Sequence, residues 1–161
     1  MFDRRTLIGL AAIAAAAPPA LAAPPSASPD PTETIPLWPG PPPGARSRLP
    51  REEVVDRIKT SGFQDRFVTG VGAPLMTVFR PAKPNGAAVL IAPGGGYIRV
   101  VIDKEGFEVG RRFAAIGVTV FVLRYRLPGE GWDRRSDVPL QDAQRAIRLI
   151  RSRAADLGVD P

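Results

Sequence analysis

Three consecutive glycines, Gly94, Gly95 and Gly96, stand between Pro93 and Tyr97, directly after the apolar run Ala88–Ala92. Residues without a Cβ let backbone N–H groups come close to a ligand oxygen. Spacing excludes two phosphate-binding patterns. A dinucleotide fingerprint needs a further glycine three residues after Gly96, where Arg99 stands, and a P-loop needs a closing Gly-Lys-Ser/Thr, which is absent. The chemistry that remains is an oxyanion hole: neighbouring glycine N–H groups aimed at the negative oxygen of an acyl-transfer intermediate. A plain tight turn between a strand and the next helix accounts for Gly-Gly-Gly equally well, so the flanking sequence has to decide.

Groups that could work beside such a hole are scarce. The chain has no His, the usual general base at neutral pH, and no Cys, so neither thiolate nor disulfide chemistry is available. The serines after the glycines, Ser136 and Ser152, lack the Gly-x-Ser-x-Gly flanks of a nucleophile elbow. Asp137, Asp142 and Asp156 are spread along one helical stretch with no His or Cys to complete a metal site, so no metal is expected. Asp142 is expected to pair with Arg145 or to hold a loop. The net charge of +6 comes from scattered arginines, with no Lys/Arg block interleaved with aromatics. A solvated basic surface is therefore expected, with no nucleic-acid partner.

The elements that must position the glycines follow from pattern. Residues 1–22 read as an export signal. Arg4 and Arg5 begin it, an apolar run too short to span a bilayer follows, and Ala20-Leu21-Ala22 offers a small-x-small cleavage site. The Arg pair resembles a twin-arginine signal, although Asp3 stands where Ser or Thr is commoner; an ordinary secretory signal with two incidental arginines is the alternative. The expected location is periplasmic or secreted, without stable membrane insertion once the signal is removed.

Residues 23–50 are Pro-rich and read as a linker or N-terminal arm, with the extended apolar stretch Ile35–Gly40 lying against the domain. Residues 51–161 read as the domain itself. Arg51–Lys59 is expected to form a short helix with Val54, Val55 and Ile58 on one side. Arg66–Thr69 and Leu75–Phe79 read as strands. Ala88–Ala92, wholly apolar, reads as a strand covered on both faces. A helix is expected over Glu105–Ile116, with Phe107, Phe113 and Ile116 toward a sheet and Gly117 as its stop. Val118–Tyr125 is the clearest strand, β-branched and aromatic. A last helix follows, capped by Asp137, with Leu140, Ala143, Ile147, Ile150, Ala154 and Leu157 as its apolar stripe. Strands alternating with helices make an α/β fold, the later strands parallel.

In this order the motifs resemble one family: secreted α/β-hydrolase esterases of the carbohydrate acetyl-esterase type, relatives of the hormone-sensitive-lipase group. The likeness runs from Ile35 onward. It rests on Leu37-Trp38-Pro39-Gly40, Pro93-Gly94-Gly95-Gly96-Tyr97, Asp103-Lys104-Glu105-Gly106, Leu123-Arg124-Tyr125-Arg126-Leu127, and Pro139-Leu140-Gln141-Asp142-Ala143 with Arg145-Ala146-Ile147-Arg148. Many members carry His where this chain has Pro93, a position that shapes the loop and does not attack the substrate.

The resemblance implies a three-layer α/β-hydrolase fold with a mostly parallel sheet, and hydrolysis of a carboxylic ester without a cofactor. The substrate it implies is a small-molecule or polysaccharide ester, an acetyl group on a plant polysaccharide above all. It implies that Gly95 and Gly96 form the oxyanion hole and that Gly94 and Tyr97 line the substrate pocket; a Tyr97 ring that merely plugs the space under the loop is the alternative. In such enzymes a strand with the nucleophile elbow follows the last helix, and the acid and His come later. The chain is therefore expected to be the N-terminal half of such an enzyme, its Ser–His–acid triad lying beyond Pro161, and to be inactive alone. The competing expectation is a non-catalytic exported protein that binds a small carboxylate or sugar, or an inactive fragment.

Overall fold

The computed structural model describes residues 29–58 and 64–161. The expected export signal, and Lys59 at the end of the helix expected over Arg51–Lys59, lie outside the described residues. Six strands are present: β1 (Thr34–Pro36), β2 (Glu53–Asp56), β3 (Arg66–Thr69), β4 (Leu75–Phe79), β5 (Ala88–Ile91) and β6 (Thr119–Arg124). The helices are α1 (Glu108–Ala115), α2 (Val138–Ser152) and a short α3 (Ala154–Leu157), and a π-helical turn over Asp103–Phe107 leads into α1. The main sheet runs β1-β4-β6-β5, and β2 and β3 make a separate antiparallel ladder.

The α/β class holds. The sheet is mixed: β1–β4 and β4–β6 are antiparallel, while β5–β6, the pair joined through α1, is parallel. β6 is its centre, buried from Thr119 to Leu123, as its run of Val, Phe and Leu requires. The stretch Ile35–Gly40 lies against the domain as expected, and residues Thr34–Pro36 join the sheet edge as β1, with Leu37 wholly buried.

Four local expectations are corrected. The segment expected to be a helix over Arg51–Lys59 contains strand β2, because Val54 and Val55 pair in register with Val68 and Phe67 of β3. Two adjacent β-branched residues facing a partner strand outweigh a weak helical pattern. The strand expected over Ala88–Ala92 runs Ala88–Ile91 and is half-buried, not covered on both faces; Ala92 is exposed, and only β6 pairs with the strand among the described residues. Phe113 and Ile116 are exposed, at 37% and 69%; the face of α1 that meets the sheet carries Phe107 and Gly110. The π-turn inserts one extra residue before α1 and so rotates its apolar face. Gly110, having no Cβ, lets the Phe79 ring come against the helix backbone, and Phe79 meets Phe107 edge to face at 5.3 Å.

The fourth correction concerns α2. Asp137 makes no capping bond, and Leu140 and Ile147 of the expected stripe are exposed, while Val138, Asp142 and Ala146 are buried. The cause is an ion pair. Asp142 meets Arg126, not Arg145; both are fully buried, at 2.8 Å, and the Asp142 carboxylate also accepts the Arg126 backbone N–H and the Trp38 indole N–H. The Arg126 guanidinium lies over the rings of Trp38 and Trp132 and donates to the Pro43 carbonyl. Arg145 donates to the Leu37 carbonyl. A buried carboxylate needs this much pairing, so it turns its own helix face inward.

Candidate active site

Because β5 and β6 run parallel, their C-terminal ends reach the same end of the sheet, where open α/β sheets offer a crevice. β5 delivers Ala92–Tyr97 there and β6 delivers Tyr125. The loop and the start of α2 enclose a cleft of about 450 Å³, lined by Gly94, Gly95, Gly96, Tyr97, Tyr125 and Leu140 among others. All four residues singled out in the sequence therefore line one cleft.

The three glycines have three different reasons to be glycine. A Cβ on Gly94 would meet the Glu105 carboxylate at 2.5 Å. A Cβ on Gly95, which sits at φ +139°, would collide with the Arg99 carbonyl. Gly96 has open space around it but a φ of +64°. With Tyr97 at φ +59°, Gly96 forms the centre of a tight turn closed by Ile98 N–H to the Gly95 carbonyl at 3.3 Å. Two successive positive φ values are the pattern of a type I′ turn. A tyrosine held there is strained, and such residues cluster at functional sites.

The loop is tied down on both sides of the turn. The Tyr125 hydroxyl donates to the Pro93 carbonyl at 2.7 Å, Gly94 N–H donates to Glu105 at 2.8 Å, and Val101 N–H donates to the Gly94 carbonyl at 2.9 Å. Among the described residues no protein acceptor takes the N–H of Gly95 or Gly96. Two adjacent free N–H groups on a braced turn at a cleft can hold an anionic oxygen. Burial pushes the Tyr125 phenol above its ordinary value, with Tyr97 and Glu105 adding to the rise, so it stays a neutral donor across the physiological range.

Tyr97 is 61% exposed, with its ring at the cleft mouth and not packed beneath the loop. Ser136 also lines the cleft, and among the described residues its hydroxyl meets only the neighbouring Asp137 carboxylate, at 3.2 Å. Ser152 lies on the exposed face of α2 and donates back to the Leu149 carbonyl. Sequence reasoning missed Tyr125 and Glu105 as parts of the loop's support. For Tyr125 a signal existed, since a residue ending a strand parallel to β5 must arrive beside the glycines. For Glu105 none did, because the π-turn that aims it has no local signature.

No family model matches the chain. A stretch of 90 residues is 32% identical to the acetylxylan esterase of Xylanibacter ruminicola, covering 56% of this chain and 18% of that enzyme. Similar solved structures include an acetyl ester-xyloside bifunctional hydrolase from Caldicellulosiruptor lactoaceticus, 27% identical, covering 82% of this chain and 40% of the hydrolase, at a TM-score of 0.48. A thermophilic esterase from Thermogutta terrifontis is 25% identical, covering 70% of this chain and 39% of the esterase, also at 0.48. The chain spans less than half the length of each of these three proteins.

Proposed function

We propose that this chain supplies the oxyanion-binding and pocket-forming part of a serine carboxylic-ester hydrolase acting on acetyl esters, polysaccharide acetyl groups foremost. The observation that carries the reading is the pair of free N–H groups, Gly95 and Gly96, on a turn braced by Tyr125, Glu105 and Val101 beside a cleft. The sequence similarity to an acetylxylan esterase supports the substrate class. In this role Gly95 and Gly96 donate to the oxygen of the tetrahedral intermediate. Gly94 shapes the loop, and Tyr97 lines the side of the cleft that meets the acyl or sugar group.

The nucleophile, base and acid come from outside these 161 residues, since a Ser–His–acid relay needs a His and the chain has none. Assay with a chromogenic acetyl ester tests this half of the proposal. The chain alone gives no turnover above the buffer rate. Steady hydrolysis with one serine labelled by a phosphonate would contradict it. Reading the coding DNA beyond Pro161 in all frames tests the other half: a Gly-x-Ser-x-Gly segment followed by a His supports it, and open sequence without them counts against it.

The proposal includes export, through a twin-arginine signal in residues 1–22. Among the described residues no helix is long and apolar enough to cross a membrane. Exported material begins near Ala23, and replacing Arg4 and Arg5 by Lys blocks its appearance outside the cytoplasm. Unaffected export of that variant points to the general secretory route.

A further inference from the structure

Gly94, Gly95 and Gly96 offer three consecutive N–H groups, and an anionic oxygen that chose Gly94 and Gly95 would sit in a different place from one that chose Gly95 and Gly96. The structure distinguishes the two pairs through one side chain. Glu105 Oε2 accepts the Gly94 N–H at 2.8 Å and fills the space a Cβ on Gly94 would occupy. Its neighbours fix its aim. Asp103, two residues earlier in the π-turn, is buried and gripped by Arg66 through Nε at 2.9 Å and a second guanidinium nitrogen at 2.7 Å. Gly106, one residue later, lies so close to the sheet that a Cβ would meet Val122 at 2.8 Å and Pro93 at 3.2 Å. The π-turn is thus seated against the root of the glycine loop, and Glu105 reaches the loop from a rigid base.

We propose that Glu105 is the positioning residue of the oxyanion site: by taking the Gly94 N–H it sets the register of the loop, leaving Gly95 and Gly96 as the binding pair. This inference rests on the oxyanion reading given above. Glu105 touches no reacting atom in this role and works only through the backbone of Gly94. A purely electrostatic account predicts the opposite behaviour, since a carboxylate beside an anion site repels the anion, and removing it would tighten binding.

Three variants separate the accounts on the dilute, isotope-labelled chain, with acetate as the probe and the Gly95 and Gly96 amide resonances as the readout. Glu105→Gln keeps an acceptor for Gly94 and loses the charge. Glu105→Asp keeps the charge but is one methylene too short to reach. Glu105→Ala loses both. The expected result is that the Gln variant binds acetate as tightly as the parent or more so. The Asp and Ala variants bind about tenfold more weakly, because the competent loop conformer is then a minority, and their Gly94 amides exchange faster by a similar factor. Glu105 is exposed, so all three are expected to melt close to the parent.

Acetate binding by the Asp and Ala variants as tight as by the Gln variant overturns the proposal. If acetate shifts neither amide in the parent chain, the oxyanion reading itself fails. The positioning role is then decided by Gly94 exchange and the Tyr97 backbone coupling: relaxed in Ala and Asp but not in Gln supports it, and equal in all three overturns it.

Discussion

At Gly95 and Gly96 the same side-chain deletion answers two different demands, and substitution separates them. Gly96→Ala meets no neighbouring atom and adds only the cost of a left-handed alanine, about 1–2 kcal/mol, so the loop keeps its shape and its anion affinity. Gly95→Ala must displace the Arg99 carbonyl, and the turn cannot close as it stands. Thermal melting together with the acetate titration checks the pair: Gly96→Ala lowers stability and keeps binding, while Gly95→Ala loses both. Equal binding by the two variants would contradict this.

The phenol of Tyr125 gives a second handle at this scale. Its folded-state ionisation lies above the unfolded value of about 10, because burial opposes the phenolate. The stability carried by its bond to Pro93 is therefore fully present below about pH 10 and is lost as pH rises through the raised value. The chain has two tyrosines, so Tyr97→Phe leaves Tyr125 as the only reporter. Its tyrosinate absorbance should rise only above about pH 10, and the Gly94–Tyr97 amides should broaden over the same interval. A midpoint at or below the ordinary value would contradict the burial argument.

Among the elements, α2 is held chiefly by what its buried face carries. Asp142 is fully buried with Arg126, so Asp142→Ala leaves a guanidinium in the core without its carboxylate. Breaking such a pair costs about 3–5 kcal/mol, a large share of the roughly 5–15 kcal/mol a domain holds. Denaturant unfolding should show a loss of that size, with the Trp38 indole N–H left without its acceptor as well. A loss under about 1 kcal/mol would mean the pair is not what orients the helix.

The edge of β5 makes the other element-scale prediction. Its sequence, Ala-Val-Leu-Ile, carries neither charge nor proline, and among the described residues only β6 pairs with it. Such an edge invites pairing with another chain. The isolated chain should associate as its concentration rises. Ala87→Lys, at an exposed position beside the strand, should move it toward monomer without lowering its melting temperature. Sedimentation that finds the parent monomeric at all concentrations would contradict this.

For the molecule as a whole, the sequence disclosed the α/β order and the glycine loop but not the faces of its helices. The strands were legible where β-branched runs are flanked by Gly and Pro, as at Leu75–Phe79 and Val118–Tyr125. The loop was legible because three glycines after an apolar strand have few uses. The faces of α1 and α2 were not. Each is turned by a non-local event, the π-turn before Glu108 and the Arg126–Asp142 pair, and a local apolar pattern sees neither. The Leu-Trp-Pro-Gly, Arg-Tyr-Arg and Gln-Asp-Ala motifs are three of the five that carried the family resemblance. In the structure they meet around Arg126, where they fasten the N-terminal segment to α2 and leave the cleft to the glycines and Tyr125.

The central claim is that Gly95 and Gly96 present their N–H groups to an anionic oxygen, and its most direct test is titration of methylphosphonate, whose tetrahedral oxygens imitate those of an ester-hydrolysis intermediate, into the isotope-labelled chain. The account predicts saturable shifts that are largest at the Gly95 and Gly96 amides, smaller at Tyr97, and absent at Gly94, whose N–H is already taken by Glu105. Shifts confined to the region of the exposed Arg148 and Arg151 on α2, or largest at Gly94, would contradict it.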